Sequence, residues 1–98
     1  MKPQKDPEGF ERKKLHDFAD FDSARVLEIG CGEGRLTWKY AAASRVTFGL
    51  DPDSDALRVA RADCPPDLHG RVHLARASAY YIPFPKETFD IAILAWSL

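Results

Sequence analysis

Apolar residues along this chain fall into short strand-like runs separated by helical stripes. Arg25-Val26-Leu27-Glu28-Ile29 is a compact β-prone run that ends in Gly30-Cys31-Gly32-Glu33-Gly34, a turn tight enough to need glycine's access to positive φ. Beyond it Leu36, Tyr40 and Ala43 stand at i, i+4 and i+7, which predicts one face of a helix. Arg45 to Leu50 reads as a second strand ending at Asp51, and Pro52 holds Asp51 in an extended conformation. Asp53 or Ser54 can cap the next helix, whose apolar residues are Ala56, Leu57 and Ala60, and Asp63-Cys64-Pro65-Pro66 stops it. Val72 and Leu74 alternate with Arg71, His73 and Ala75, the pattern of a weak third strand near a sheet edge. Phe89 to Ala95 is almost continuously apolar and predicts a fourth strand covered on both faces. Upstream, Leu15, Phe18 and Ala19 form one stripe of a short helix between Phe10 and Phe21. Residues 1–9, with Pro3, Pro7, Gly9 and mixed charges, read as a flexible lead-in.

Strand, helix, strand, helix, strand and strand in that order define an α/β class with a mostly parallel, right-handed sheet. The last predicted strand has the composition of a central one, yet Leu98 follows it at once. The sheet is therefore expected to be truncated after its fourth strand, residues 10–98 forming the N-terminal part of a larger domain. The alternative is that a second copy or a partner chain covers the fourth strand's edge, because a bare apolar edge invites association.

Composition narrows the choice by exclusion. At 98 residues, 45% hydrophobic and 30% charged, the chain has the balance of one globular domain. Fourteen basic against fifteen acidic side chains leave a formal net charge of −1, too little for an overall field that would hold a polyanion or an anionic membrane. The longest apolar run, Ile91 to Trp96, cannot span a bilayer. Cys31 and Cys64 stand alone, without the spacing of a zinc site or a disulfide framework, and no secretory signal opens the chain. A cytoplasmic protein with no membrane contact and no metal is expected. His16, His69 and His73 have no shared spacing, and Trp38, Tyr40 and Trp96 read as packing residues.

Open α/β sheets bind ligands at the carboxyl ends of their strands, and here the first strand delivers the chain into the glycine loop. A dinucleotide fingerprint would need its third glycine at position 35, which is Arg35, and no Gly-Lys-Ser or Gly-Lys-Thr follows for a phosphate loop. Plainer roles stay open for the same residues. Glu28 could pair with Arg25 or Arg35, Asp51 could cap a helix across Pro52, and Cys31 could be a small filler.

Val26-Leu27-Glu28-Ile29-Gly30-Cys31-Gly32-Glu33-Gly34 resembles the E-x-G-x-G-x-G motif of class I S-adenosylmethionine-dependent methyltransferases. Gly49-Leu50-Asp51 is similar to that family's second motif, an acidic residue closing strand two. Ile82-Pro83-Phe84-Pro85 with Thr88-Phe89-Asp90 resembles the block that leads into strand four. The resemblance implies a Rossmann-like, mostly parallel sheet with helices on both faces and methyl transfer from S-adenosylmethionine, this chain supplying the cofactor-binding half.

The resemblance also implies roles for individual residues. Asp51, followed by Pro52, would accept the ribose hydroxyls, and Gly30, Cys31, Gly32 and Gly34 would let the backbone approach the methionine and ribose. Glu28 would order the loop and face the ligand's amino end. Ala79 would offer its backbone N–H to adenine, and Ala95 with Trp96 would floor the cleft. Many relatives carry an aspartate where this chain has Ser78, so adenine would be held more weakly or with help from Tyr80 or Tyr81. No position matches a catalytic or acceptor-binding residue, so the methyl acceptor stays unidentified and the isolated 98-residue chain is expected to be inactive. Two other classes compete: a non-catalytic, partner-completed half-domain, and, with Arg35 against it, an NAD-dependent oxidoreductase.

Overall fold

The computed structural model describes residues 20–78 and 88–95. The lead-in, the Leu15–Phe18–Ala19 stripe, Ala79 to Pro85 and Trp96 lie outside the described residues. Within them the chain runs β1 (Arg25–Ile29), α1 (Thr37–Tyr40), β2 (Val46–Asp51), α2 (Ser54–Asp63), a 3₁₀ turn (Pro66–Leu68), β3 (Val72–Arg76) and β4 (Ile91–Leu94). All strand pairs are parallel and their order is β3-β2-β1-β4. The chain thus builds outward from β1 to β3, then returns to the other side of β1. That reversal places β1 at the topological switch point, where such sheets open a crevice at their carboxyl ends.

Aliphatic side chains make β1 the centre of the core. Val26, Leu27 and Ile29 are 0–6% exposed, and alternation sends Val26 to one face and Leu27 and Ile29 to the other. Val26 packs with Phe21, Ala24 and Tyr40, joined by Leu36, Ala43, Ile91 and Ile93. The stripe Leu36–Tyr40–Ala43 therefore lands on one cluster as its spacing predicts. The regular α-helix is only one turn long, because Lys39, Ala43 and Ser44 donate to carbonyls three residues back, at 3.0, 3.0 and 3.1 Å, which tightens the backbone towards 3₁₀ geometry. On the opposite face Leu27, Ile29 and Leu50 pack with Phe48, Ala77 and Phe89.

Asp53 is the cap of α2: its Oδ1 accepts from the N–H groups of Asp55 and Ala56 at 2.9 and 3.2 Å, satisfying two donors that no helical carbonyl can reach. Leu57 and Ala60 are the residues of α2 that become fully buried. The 3₁₀ turn, which follows the stop of α2 and begins at Pro66, buries Leu68. It joins Ala41 and Val72 in a third cluster that Trp38, Cys64 and Leu74 flank.

β3 is an edge strand, as its thin alternation predicts. β4 departs from expectation. Ala92 is exposed and Leu94 is 59% exposed, so only its Ile91–Ile93 side is covered among the described residues. Among the described residues β4 has β1 as its single neighbour in the sheet, and the face that carries Ala92 and Leu94 is left uncovered. The start of β4 is fastened to β1 by Asp90, whose Oδ2 accepts from Arg25 N and Nε at 2.8 and 3.2 Å. Its backbone N–H also donates to the Arg25 carbonyl at 2.8 Å.

Candidate functional site

The glycine loop begins as an extension of the sheet. Gly30 and Cys31 both donate backbone N–H groups to the Leu50 carbonyl, at 2.7 and 3.1 Å. The chain then turns through three residues with positive φ, Gly30 at 82°, Gly32 at 56° and Gly34 at 86°, a sequence of conformations that side chains resist. Gly32 N–H donates to Asp51 Oδ2 at 2.9 Å, and Asp53 N–H donates to Asp51 Oδ1 at 2.8 Å. Asp51 is thereby fixed on both oxygens, each of which keeps lone-pair capacity for another donor. Ala77 N–H reaches the Asp51 carbonyl at 3.1 Å and Ala95 N–H reaches the Ile29 carbonyl at 2.8 Å. The chain ends of all four strands are thus drawn side by side.

The three glycines that matter here are required for different reasons. A Cβ on Gly32 would meet nothing within 4 Å, so the space over this residue is open. A Cβ on Gly34 would lie 2.5 Å from Trp38 Cζ2 and 2.7 Å from Cε2; the indole occupies that side. Gly49 in β2 lacks a side chain because Cys31 Sγ and Leu74 Cδ2 would stand 3.0 and 2.8 Å from its Cβ. A glycine inside a strand pattern signals such a close approach, and the sequence reading did not use it.

Beneath the loop the site is buried. Glu28 has no exposed surface, and its Oε1 accepts from Thr37 Oγ1 at 2.7 Å and Tyr40 Oη at 2.6 Å. Oε2 has no hydrogen-bond partner among the described residues. Burial holds the Glu28 carboxyl above the ordinary carboxylate range, opposed by the hydrogen bonds from Tyr40 and then Thr37. The Tyr40 phenol is raised strongly, by burial first and by the neighbouring Glu28 charge second. Cys31 is pushed up to about 12, again by burial, then by Glu28 and Asp51. It is therefore a neutral thiol at physiological pH and fills space.

The structure brings Glu28, Gly30, Cys31, Gly32 and Asp51 together around one loop. Gly34 belongs to the same loop but packs under Trp38. Pro52 is exposed at the rim, its carbonyl accepting from Arg76 Nε at 3.1 Å. Ser78 is exposed beyond β3, Ala95 follows β4, and Ala79 is outside the described residues. Glu28 pairs with neither arginine: Arg25 engages Asp90, while the hydroxyls of Thr37 and Tyr40 take the carboxylate. Those two residues were missed as site residues. Their i, i+3 spacing on the helix that follows the loop was the available signal. Among the described residues no cluster of histidine, cysteine and carboxylate groups could hold a metal, and no helix is long and apolar enough to cross a membrane.

A parallel sheet reversing at β1, a glycine loop after it and a carboxylate closing β2 are the features with which open α/β sheets hold nucleotide-type ligands. The family model for a methyltransferase domain matches residues 26–98, and the chain belongs to that family. It is 24% identical over 89 residues to a demethylmenaquinone methyltransferase of Lactococcus lactis, covering 88% of this chain and 35% of that protein. A dimethyladenosine transferase from Plasmodium falciparum superposes with a TM-score of 0.74 at 30% identity, covering 92% of this chain and 32% of the other. The amino pentose methyltransferase CalS10 from Micromonospora echinaspora, solved with S-adenosylmethionine bound, superposes at 0.71 with 25% identity, over 92% of this chain and 37% of CalS10. The chain spans about a third of the length of the curated relatives it matches.

Proposed function

We propose that this chain is the cofactor-binding half of an S-adenosylmethionine-dependent methyltransferase. The observation that carries the reading is the Gly32–Asp51 contact: a carboxylate locked to a glycine N–H at 2.9 Å, where among the described residues no atom lies within 4 Å of a Cβ placed on Gly32. The residues suit the cofactor chemically. Asp51 keeps acceptor capacity for a ribose diol, Gly30 and Gly32 leave bare backbone for the methionine and ribose, and Glu28 has an unused oxygen for the cationic amino end. In this assignment the Ala79 backbone and the Ser78 hydroxyl face adenine, Cys31 and Pro52 border the loop, and Ala95 floors the crevice.

When bound, the cofactor supplies a methyl carbon activated by a sulfonium. Held by Glu28, Gly30, Gly32 and Asp51, that methyl carbon would be open to in-line attack by an acceptor lone pair, the sulfonium sulfur leaving as a thioether. Positioning donor and acceptor in line supplies much of the rate of such a displacement, which suits a site built of backbone and binding groups. The acceptor would be placed by residues other than those assigned here. The edge of β4 that pairs with no strand among the described residues would take a further strand, from the rest of a longer protein or from a partner chain. Both cysteines are free thiols, which suits a reducing, cytoplasmic setting.

Calorimetric titration of the full-length protein with S-adenosylhomocysteine, the demethylated product, tests the proposal. Asp51→Ala should weaken binding at least about a hundredfold, because two hydrogen bonds to a charged acceptor are worth about 1.5–3 kcal/mol each. Ser78→Ala should cost less. Equal losses, or a larger one for Ser78→Ala, would remove the ribose assignment, and no binding by the unmodified protein would remove the cofactor reading.

A further inference from the structure

Glu28 presents an asymmetry that the cofactor reading alone does not explain. Two hydroxyl donors converge on one oxygen, Thr37 at 2.7 Å and Tyr40 at 2.6 Å, while Oε2 of the same fully buried carboxyl has no partner among the described residues. Each hydroxyl has a single proton to donate, and both give it to Oε1. The donors are themselves held in place. Thr37 and Tyr40 stand at i, i+3 on α1, and Tyr40 is stacked on Phe21 with ring centroids 4.7 Å apart. The turn that carries them is tied to the loop, since Trp38 N–H donates to the Gly34 carbonyl at 3.0 Å.

We propose that Thr37 and Tyr40 are positioning residues of the cofactor site: they hold the Glu28 carboxylate by one oxygen and keep the other free for the cofactor's ammonium group. This rests on the cofactor reading and adds to it a role for two residues of the helix.

The ionisation of Glu28 is poised by opposing influences. Burial favours the protonated carboxyl, whereas the two donated hydrogen bonds favour the carboxylate. The surrounding groups add no cation to these causes. Around Glu28 are the Tyr40 phenol and Thr37 hydroxyl from α1 and the Cys31 thiol from the loop, and Cys31 in turn faces the Asp51 carboxylate from the end of β2 and the Arg61 guanidinium of α2. Lys39 lies between the two hydroxyl residues in α1 and is itself buried. Glu28's register neighbours, Gly49 in β2 and Ile93 in β4, are uncharged. An incoming ammonium would favour the carboxylate further and become the partner of Oε2.

The sign of the pH dependence follows. Affinity for a cationic amino group rises with pH as the empty-site Glu28 ionises, then levels off. Removing a hydroxyl that stabilises the carboxylate moves this rise to higher pH, by about one unit for one hydrogen bond to a charged group.

The experiment measures S-adenosylhomocysteine affinity of the full-length protein against pH for the unmodified protein, Tyr40→Phe, Thr37→Val and Thr37→Ser, with the Glu28 side-chain carboxyl carbon followed by NMR in the same samples. The expected result is a midpoint about one unit higher in Tyr40→Phe and in Thr37→Val, and an unmoved one in Thr37→Ser, which restores the hydroxyl. Glu28→Gln should flatten the profile. Binding by the unmodified protein with the same midpoint in both hydroxyl-deleted variants would overturn this inference and leave the cofactor reading intact. An absence of binding at every pH would overturn both. Should Tyr40→Phe fail to fold, the Thr37 pair decides the matter alone.

Discussion

Gly32 and Gly34 lie two residues apart on one turn, and both have left-handed φ, 56° and 86°. Above Gly32 there is open space; against Gly34 lies the Trp38 indole. The two carboxylates of the site differ in burial and in partners. Asp51 stands at the rim, tied to loop and helix-cap N–H groups, whereas Glu28 is buried below it with one oxygen held by hydroxyls and the other without a partner among the described residues. The loop thus has a side that faces a ligand and a side that belongs to the core. Residues that look equivalent in a motif are required for binding on one side and for folding on the other. Substitutions at paired positions should therefore fail in different ways.

The largest separation is expected at Gly34. Gly34→Ala introduces both a left-handed alanine and a Cβ 2.5 Å from the Trp38 ring, so a loss of about 2–4 kcal/mol in denaturant-derived stability is expected from backbone strain plus overpacking. Trp38→Leu in the same chain should recover the overpacking part and leave the strain, a coupling that a double-mutant cycle reads directly. If the two losses simply add, the indole is not what makes Gly34 necessary.

Gly32→Ala should cost less stability, about 1–2 kcal/mol from the left-handed conformation alone, because no atom lies within 4 Å of the new methyl group. Its effect should instead appear in binding, as a loss of at least about tenfold in S-adenosylhomocysteine affinity where a methyl group occupies ligand space. A variant that binds as tightly as the unmodified chain would show that the open space over Gly32 is not where the cofactor lies.

The rim was legible in the sequence because each of its requirements is local. A β-prone run, alternating glycines and an acidic residue closing the next strand are all carried by neighbouring residues, so β1 and its loop could be placed without knowing what packs on them. The underside was not legible in the same way. That Glu28 meets Thr37 and Tyr40, rather than an arginine, depends on how the first turn of α1 docks across β1, which is a tertiary outcome. Gly49 looked like part of a strand ending, although its reason is the arrival of Cys31 and Leu74 from two other segments. The exposure of β4 had the same origin. Its composition describes a strand covered on both sides, while burial is decided by which elements lie beside it.

The smallest effect expected sets the buried carboxyl against an exposed one. Asp90, beside Arg25, is held down to about 2 by hydrogen bonds from that residue, and both side chains are nearly half exposed. A lowered carboxyl contributes stability that is fully present above its ordinary value near 3.8 and is lost as pH falls through about 2. Glu28 has the opposite sign. A carboxyl raised by burial binds its proton more tightly in the folded chain than in the unfolded one, so stability declines as pH rises from its ordinary value of 4.5 through the raised one. Melting temperatures of the full-length protein followed against pH should therefore show two slopes of opposite direction. Asp90→Asn should remove the acid-side rise, by a small amount since solvent screens an exposed pair. Glu28→Gln should remove the decline above the ordinary carboxylate range and leave the acid side alone. If Glu28→Gln instead leaves that decline in place, the carboxyl beneath the loop is not the group that titrates, and the contrast between a buried and an exposed carboxyl loses its electrostatic half.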